Sequence, residues 1–202
     1  MINKPELPGI VLGGLVRNVI GEFFTERNHM NYEIEITQAM YDRAHILAEE
    51  QGALKGSIRF GAGNIYGYLG EEIFTKAFDC QRVNDYEHDF VINRFDKDIR
   101  IDVKTKMTTV EPKPEYEASV TKMPQQQDTD IYFFCRVHKD TRKGWLIGWE
   151  WSDIFFLTAY LKSKGDKDPS NSNICKRTCW NIFHNQLQSP WALCSYIGDR
   201  TI

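Results

Sequence analysis

The chain has 202 residues, 42% of them hydrophobic and 26% charged, the size and composition of one globular domain. These values exclude wholesale disorder, a collagen-like repeat and a coiled coil, and no apolar run reaches the roughly 18 residues of a membrane span. The 25 basic and 28 acidic residues give a net charge of −3, which argues against a histone-like polyanion binder. The distribution is uneven: residues 1–90 carry 8 Lys/Arg against 14 Asp/Glu, whereas 91–144 carry 11 against 9. A nucleic-acid groove is therefore expected in the middle and C-terminal parts. No basic stretch leads into Ile10-Val11-Leu12, so no signal peptide is expected. Five cysteines, an odd number, then suit a reduced cytoplasmic setting, that of the host cell if the protein is viral.

In chain order, Leu15, Val16, Val19, Ile20, Phe23 and Phe24 have helical spacing. Thr37 reads as the N-cap of a second helix running to about Gln51. A glycine-rich stretch follows, with Gly52, Gly56, Gly61, Gly63 and Gly67, and overlaps a third helix expected from Asn64 to Phe78. The period then changes to two. Cys80–Val83, Phe90–Asn93 and Ile99–Lys106 read as strands, the last two joined as a hairpin by the polar turn around Asn93–Asp98. Residues 107–128 are expected to hold a loop and a short helix. Ile131–Val137 is almost continuously apolar, as in a strand buried on both faces. Trp145–Trp149 reads as the next strand, Ser152 as the cap of a helix to about Lys162, and Trp180–His184 as a last short strand. The expected fold is mixed α/β, a central sheet with flanking helices preceded by N-terminal helices.

The most informative segment is Ile99-Arg100-Ile101-Asp102-Val103-Lys104-Thr105-Lys106. Strand alternation puts Asp102, Lys104 and Lys106 on one face. A carboxylate and an ammonium side by side can hold a divalent metal and orient a water. Asp89 opens the partner strand of the hairpin and can come to lie beside Asp102. That pair gives two hard oxygen donors suited to Mg²⁺ or Mn²⁺. The preceding helix offers Glu71 and Glu72 as a third carboxylate. Other chemistries fare worse. Gly61-Ala62-Gly63-Asn64 lacks the Lys-Ser/Thr of a P-loop. No Gly-x-Ser-x-Gly elbow exists. Cys175, Cys179, His184 and Cys194 fit no common zinc spacing.

The order of these features resembles the PD-(D/E)xK nuclease superfamily, the restriction-endonuclease-like fold. The resemblance covers about residues 60–150. It rests on Gly67–Phe74 for an acidic helix, His88-Asp89-Phe90-Val91 for the first Asp, and Ile101-Asp102-Val103-Lys104 for the signature. The chain departs from the pattern where His88 stands in place of the proline. The resemblance implies Asp89 and Asp102 as metal ligands, Lys104 as the residue that positions the attacking water, and Glu71, favoured over Glu72, as an auxiliary ligand. It divides the single domain, 1–202, into an N-terminal helical extension (1–60), a nuclease core (61–150) and a C-terminal helix and short strand (151–202).

The expected activity is divalent-metal-dependent hydrolysis of phosphodiester bonds, with DNA favoured over RNA and a repair, recombination or phage-type role. Lys106, Lys113 and Lys122 follow the signature, where local charge is positive, and are the expected phosphate contacts. No membrane partner is expected. The alternative is a non-catalytic nucleic-acid-binding or assembly protein that keeps the nuclease fold.

Overall fold

The computed structural model describes residues 32–51, 64–78, 80, 82–83, 88–94, 97–167 and 174–197. The helix expected within residues 1–30 and the first glycines lie outside them. The elements, in chain order, are β1 (Tyr32–Glu35), α1 (Gln38–Gln51), α2 (Asn64–Phe78), β2 (Phe90–Arg94) and β3 (Lys97–Thr108). Then come β4 (Glu117–Thr121), β5 (Ile131–His138), β6 (Lys143–Trp151), α3 (Ser152–Thr158), β7 (Tyr160–Lys162), β8 (Cys179–Phe183) and α4 (Ala192–Ile197). The chain is thus a mixed α/β fold. No helix among the described residues is long and apolar enough to cross a membrane.

Five strands form the main sheet in the order β1-β6-β5-β3-β2. Strand β5 sits at its centre, parallel to β3 and antiparallel to β6. Its apolar run is explained by burial on both faces. Ile131, Phe133, Cys135 and Val137 face one core, and Tyr132 and Phe134 face another. The first core packs α1 and α2 on the sheet through Met40, Ala44, Leu69, Ile73, Phe74 and Phe78. The second packs the opposite face against a small sheet, β4-β8-β7, through Ala118, Val120 and Ile182, and against α3 through Phe155.

Helix α1 begins where Thr37 stands as its cap, the Thr37 Oγ1 accepting from the Met40 N–H at 3.3 Å. The expected bounds of α2 hold at both ends, because its apolar residues recur every three to four positions. The expected hairpin is also present, Phe90 pairing with Ile101.

Several expectations need correction. Residues 107–128 hold no helix: β3 runs on to Thr108 and β4 follows, paired with β8. The described part of the N-terminal extension is not only helical, since β1 pairs with β6 and completes the main sheet. Residue Arg82 makes an isolated bridge to Phe90 rather than a full strand. Helix α3 stops at Thr158, and Tyr160–Lys162 turns into the edge strand β7. The chain does not end its regular structure at β8, because α4 follows and sends Leu193 into the first core.

Two glycines set close approaches. Gly70 lies where α2 crosses β3. A Cβ there would fall 1.8 Å from Thr105 Oγ1 and 2.8 Å from Thr105 Cβ. Gly148 has φ +154°, and a Cβ on it would meet the Gln188 carbonyl oxygen at 2.5 Å. It sits beside a bulge: Phe134 pairs with Gly148, but Cys135 pairs with Leu146. The bulge reverses the alternation of β6, so Trp145 and Ile147 face the second core while Trp149 faces the first.

Gly70→Ala is expected to lower the urea-unfolding free energy by at least about 1–3 kcal/mol, because the Thr105 Cβ cannot rotate away. The Gly70→Ala/Thr105→Ala double variant should lose less than the sum of the two single losses. Additive losses would show that the two residues do not touch.

Candidate active site

The hairpin and α2 bring three carboxylates to one end of the main sheet. Phe90 pairs with Ile101, which sets Asp89 opposite Asp102. Asp89 is held there by the backbone: its N–H donates to the Ile101 carbonyl at 3.0 Å, and its Oδ2 accepts the Val103 N–H at 2.7 Å. Asp102 is buried at 4% exposure within β3. Glu71 arrives from α2, one residue past the Gly70 contact, and is also buried, at 8%. Few carboxylates are buried this deeply without a ligand or partner.

Two cations answer them. The Lys104 Nζ lies 2.5 Å from Asp102 Oδ2. The Arg82 Nε lies 2.6 Å from Glu71 Oε2, with its guanidinium 4.6 Å above the Tyr68 ring. Neither Glu71 Oε2 nor Asp102 Oδ2 gains an aligned hydrogen bond from its cation. Compensation is incomplete. Burial, then the nearby Asp89, push the Glu71 carboxyl up to about 8. Burial, then Asp102, push Asp89 up to about 6, against the opposing pull of the Val103 N–H, Lys104 and Arg82. Glu71, Asp89 and Asp102 are therefore mutual electrostatic neighbours. Among the described residues, no three His, Cys, Asp or Glu side chains stand close enough to share one metal ion. The cluster is a set of repelling charges rather than a preformed cage.

The other expected residues distribute as follows. Glu72 points elsewhere, accepting from Arg43 Nε at 2.8 Å and Nη2 at 2.5 Å, and so ties α2 to α1. Lys106 does not face open solvent. Its Nζ donates to the Glu117 carbonyl at 3.0 Å and to Ser119 Oγ, between the two sheets. Its expected role as a surface phosphate contact is corrected on that ground: the strand face it shares with Lys104 is covered by β4. Lys113 and Lys122 are exposed at either end of β4, and no hydrogen bond or ion pair among the described residues joins them to the carboxylates. His88 precedes Asp89 in the chain and is the smallest of the influences that lower the Asp130 carboxyl.

Three further residues complete the site. Gln127 bridges its two halves, accepting from Lys104 Nζ at 2.9 Å and donating to Asp102 Oδ1 at 3.4 Å. Tyr132 pairs with Asp102 across the sheet and lies 6.0 Å beneath the Lys104 ammonium. Its phenol is pushed up to about 12 by burial and by Asp102. Arg82 carried no signal in the sequence, because its pairing partner lies on a different element. Gln127 stood in a visible Gln125-Gln126-Gln127 run, but nothing in that run marks which of the three turns inward.

No protein-family model, curated protein or solved structure matches the chain.

The raised carboxyls make stability depend on pH. A carboxyl whose folded-state pKa is raised stabilises fully below about pH 4 and loses that contribution as pH rises through the folded value. Here the loss runs through about 6 for Asp89 and about 8 for Glu71. Buried His184 and Lys106, pushed down to about 3 and about 8, titrate in the opposite sense. The wild type is therefore compared with Glu71→Gln. In chelator, the variant's urea midpoint is expected to gain on the wild type's as pH rises from about 6 to about 9. A constant difference across that range would mean that Glu71 is an ordinary exposed carboxylate.

Proposed function

We propose that the chain is a divalent-metal-dependent nuclease whose hydrolytic site comprises Asp89, Asp102, Glu71 and Lys104. The observation that carries this reading is the convergence of three inward carboxylates on the hairpin end, beside a lysine on the same strand face as Asp102. Folding gains nothing from such repulsion, so the arrangement is better explained by a ligand of opposite charge. The donor set is all hard oxygen. Mg²⁺ binds through one or two carboxylates and keeps several waters, so the absence of a three-group cage is compatible with it. Asp89 and Asp102 would hold the ion, with Glu71 as the auxiliary group and Mn²⁺ as an equivalent. Such an ion lowers the pKa of water and polarises a phosphoryl oxygen.

The chain's own residues supply the rest. The Val103 N–H fixes the Asp89 carboxylate in place. Lys104, 2.5 Å from Asp102, orients the attacking water and offsets charge developing on the phosphate. Gln127 holds that ammonium from the far side. Arg82 neutralises Glu71 before the ion arrives. The likeness of this arrangement to the restriction-endonuclease-like core, with its acidic helix, hairpin and Asp-x-Lys strand, supports the same reading. DNA is the proposed substrate. Exposed Lys113 and Lys122 remain as proposed backbone contacts, and Lys106 drops out.

A second reading draws on the two ion pairs. If Arg82–Glu71 and Lys104–Asp102 are the finished structure, the chain is a nucleic-acid-binding or assembly protein with the fold but no chemistry. The two readings part on metal. Under the first, Mn²⁺ raises the melting temperature of the wild type by mass action, and much less that of Asp102→Asn. Labelled linear, circular, single-stranded and branched DNA should then be cut in Mg²⁺ or Mn²⁺ and spared in chelator, with RNA as the comparison. Lys104→Ala should keep the Mn²⁺-induced shift and lose roughly two orders of magnitude or more in cleavage rate. A wild type indifferent to Mn²⁺, with no cleavage of any substrate, would leave the second reading standing.

A further inference from the structure

Away from the carboxylates, the same face of β3 ends in a cluster of half-buried cations. Lys106 follows Lys104 by two residues and pairs in register with Arg136 on β5. The His184 ring closes the group, its Nε2 3.4 Å from Arg136 Nη2. These side chains, with Lys104 and Ser119, line a cavity of about 10 Å³ between the main sheet and the small one. Its remaining walls are Ala118, Phe134, Cys135 and Ile147.

The charges do not balance. Glu117 is the one carboxylate that acts on both Lys106 and Arg136. Both of its oxygens are taken by Lys162 Nζ at 2.9 Å, and one also accepts from the Tyr160 hydroxyl. Among the described residues, neither Lys106 nor Arg136 forms an ion pair. Their partners among the described residues are uncharged: the Glu117 carbonyl, at 3.0 Å from Lys106 and 2.8 Å from Arg136, Ser119 Oγ, His184 Nε2 and the Tyr116 ring, 5.9 Å from the Arg136 guanidinium. Buried unpaired charge is costly and is retained where something neutralises it. Burial accordingly depresses both cations, Arg136 to about 10 against the opposing pull of Tyr116 and Glu117, and Lys106, which also feels the Arg136 charge, to about 8.

We propose that this cavity, whose wall includes Lys104 of the nuclease site, binds a single halide-sized anion held by Lys106 and Arg136. The size selects the ligand class. A cavity of about 10 Å³ admits roughly one water-sized sphere. Chloride is somewhat larger and would need its side-chain walls to give slightly, whereas a phosphate or any tetrahedral oxyanion would force the two sheets apart. Burial selects against a hydrated cation, which the surrounding positive charge repels. The anion would join β3 and β5 to the small sheet, because its ligands and the lining Ser119 come from both.

The test is anion-specific melting of the full chain in chelator. Potassium chloride or bromide is compared with potassium gluconate at equal ionic strength. With millimolar affinity, the melting temperature should rise by roughly 5 °C between about 10 mM and about 0.5 M halide. Lys106→Met and Arg136→Met should fold and lose that rise, since each removes a buried charge the anion would otherwise match. Crystals of the wild type soaked in bromide should show an anomalous peak within contact distance of Lys106 Nζ and Arg136. Should either variant fail to fold, the bromide peak decides alone. Equal melting in halide and gluconate, a rise that survives in both variants, or a water in place of the peak would each overturn the proposal.

Discussion

The height of α2 above the main sheet is set by one contact, the missing Cβ of Gly70 against Thr105. Any side chain there would lift the helix from β3. That contact lets Leu69, Ile73 and Phe74 reach the sheet and become fully buried. It also determines where the next residue, Glu71, ends. A helix held farther out would leave Glu71 in water, where a carboxylate costs nothing. Held close, the helix brings it within electrostatic reach of Asp89 and Asp102. The apolar packing of the first core and the charge density at the hairpin end therefore depend on the same approach. The helix is anchored on its other side by Arg43–Glu72, so adjacent glutamates serve opposite ends: one ties helix to helix, the other is driven toward like charge.

Strand β3 carries this electrostatic frustration along its length. On one face, Asp102 stands among carboxylates, Lys104 lies between, and Lys106 stands among cations. Each end is short of opposite charge. Lys104 compensates Asp102 at 2.5 Å and only partly offsets Asp89, while Glu71 is left to Arg82. Glu117 compensates Lys162 and is shared thinly with Lys106 and Arg136. Buried groups in such settings are expensive to fold and are normally replaced by apolar residues unless they act on something. The two ends differ in access. The acidic end lies beside Gln127, on the loop between β4 and β5, while the basic end is roofed by β4 and β8.

Much of this was legible in the sequence where one physical signal dominated. Helix α2 was fixed by apolar recurrence, α1 by its Thr37 cap, and β5 by an apolar run too long for a one-sided strand. The hairpin pairing of Asp89 with Asp102 followed from period-two strands around a polar turn. The failures have equally specific causes. Strand β1, Tyr-Glu-Ile-Glu, is only half buried, and its alternation is too short to stand out between polar residues. Strand β4 contains Glu, Ala and Ser and follows two prolines, so its strand character comes from pairing with β8 rather than from local preference. Helix α3 seemed longer because Tyr160 and Leu161 continue its apolar pattern, yet they leave the helix to pair with β8.

The bulge in β6 shows most clearly what a sequence conceals about a site. Strict alternation from Trp145 would put Glu150 on the α2 side of the sheet. The extra residue at Ile147–Gly148 shifts the parity, so Glu150 pairs with Tyr132, which itself pairs with Asp102. A row of Asp102, Tyr132 and Glu150 then crosses three strands on the face that carries Lys104. Glu150 is buried at 4% and accepts from Gln188 Nε2 at 2.9 Å. Gln188 is the residue whose carbonyl closes on Gly148. The bulge, the glycine and the glutamine therefore form one device. Gly148 lets the 188 backbone come close, and that backbone carries the side chain that satisfies a carboxylate the bulge turned inward. Glu150 is thereby committed to protein partners, while Glu71 and Asp102 each rely on one cation and still repel Asp89. The contrast separates a buried acid held by neutral protein donors from acids whose mutual repulsion raises the Glu71 and Asp89 carboxyls.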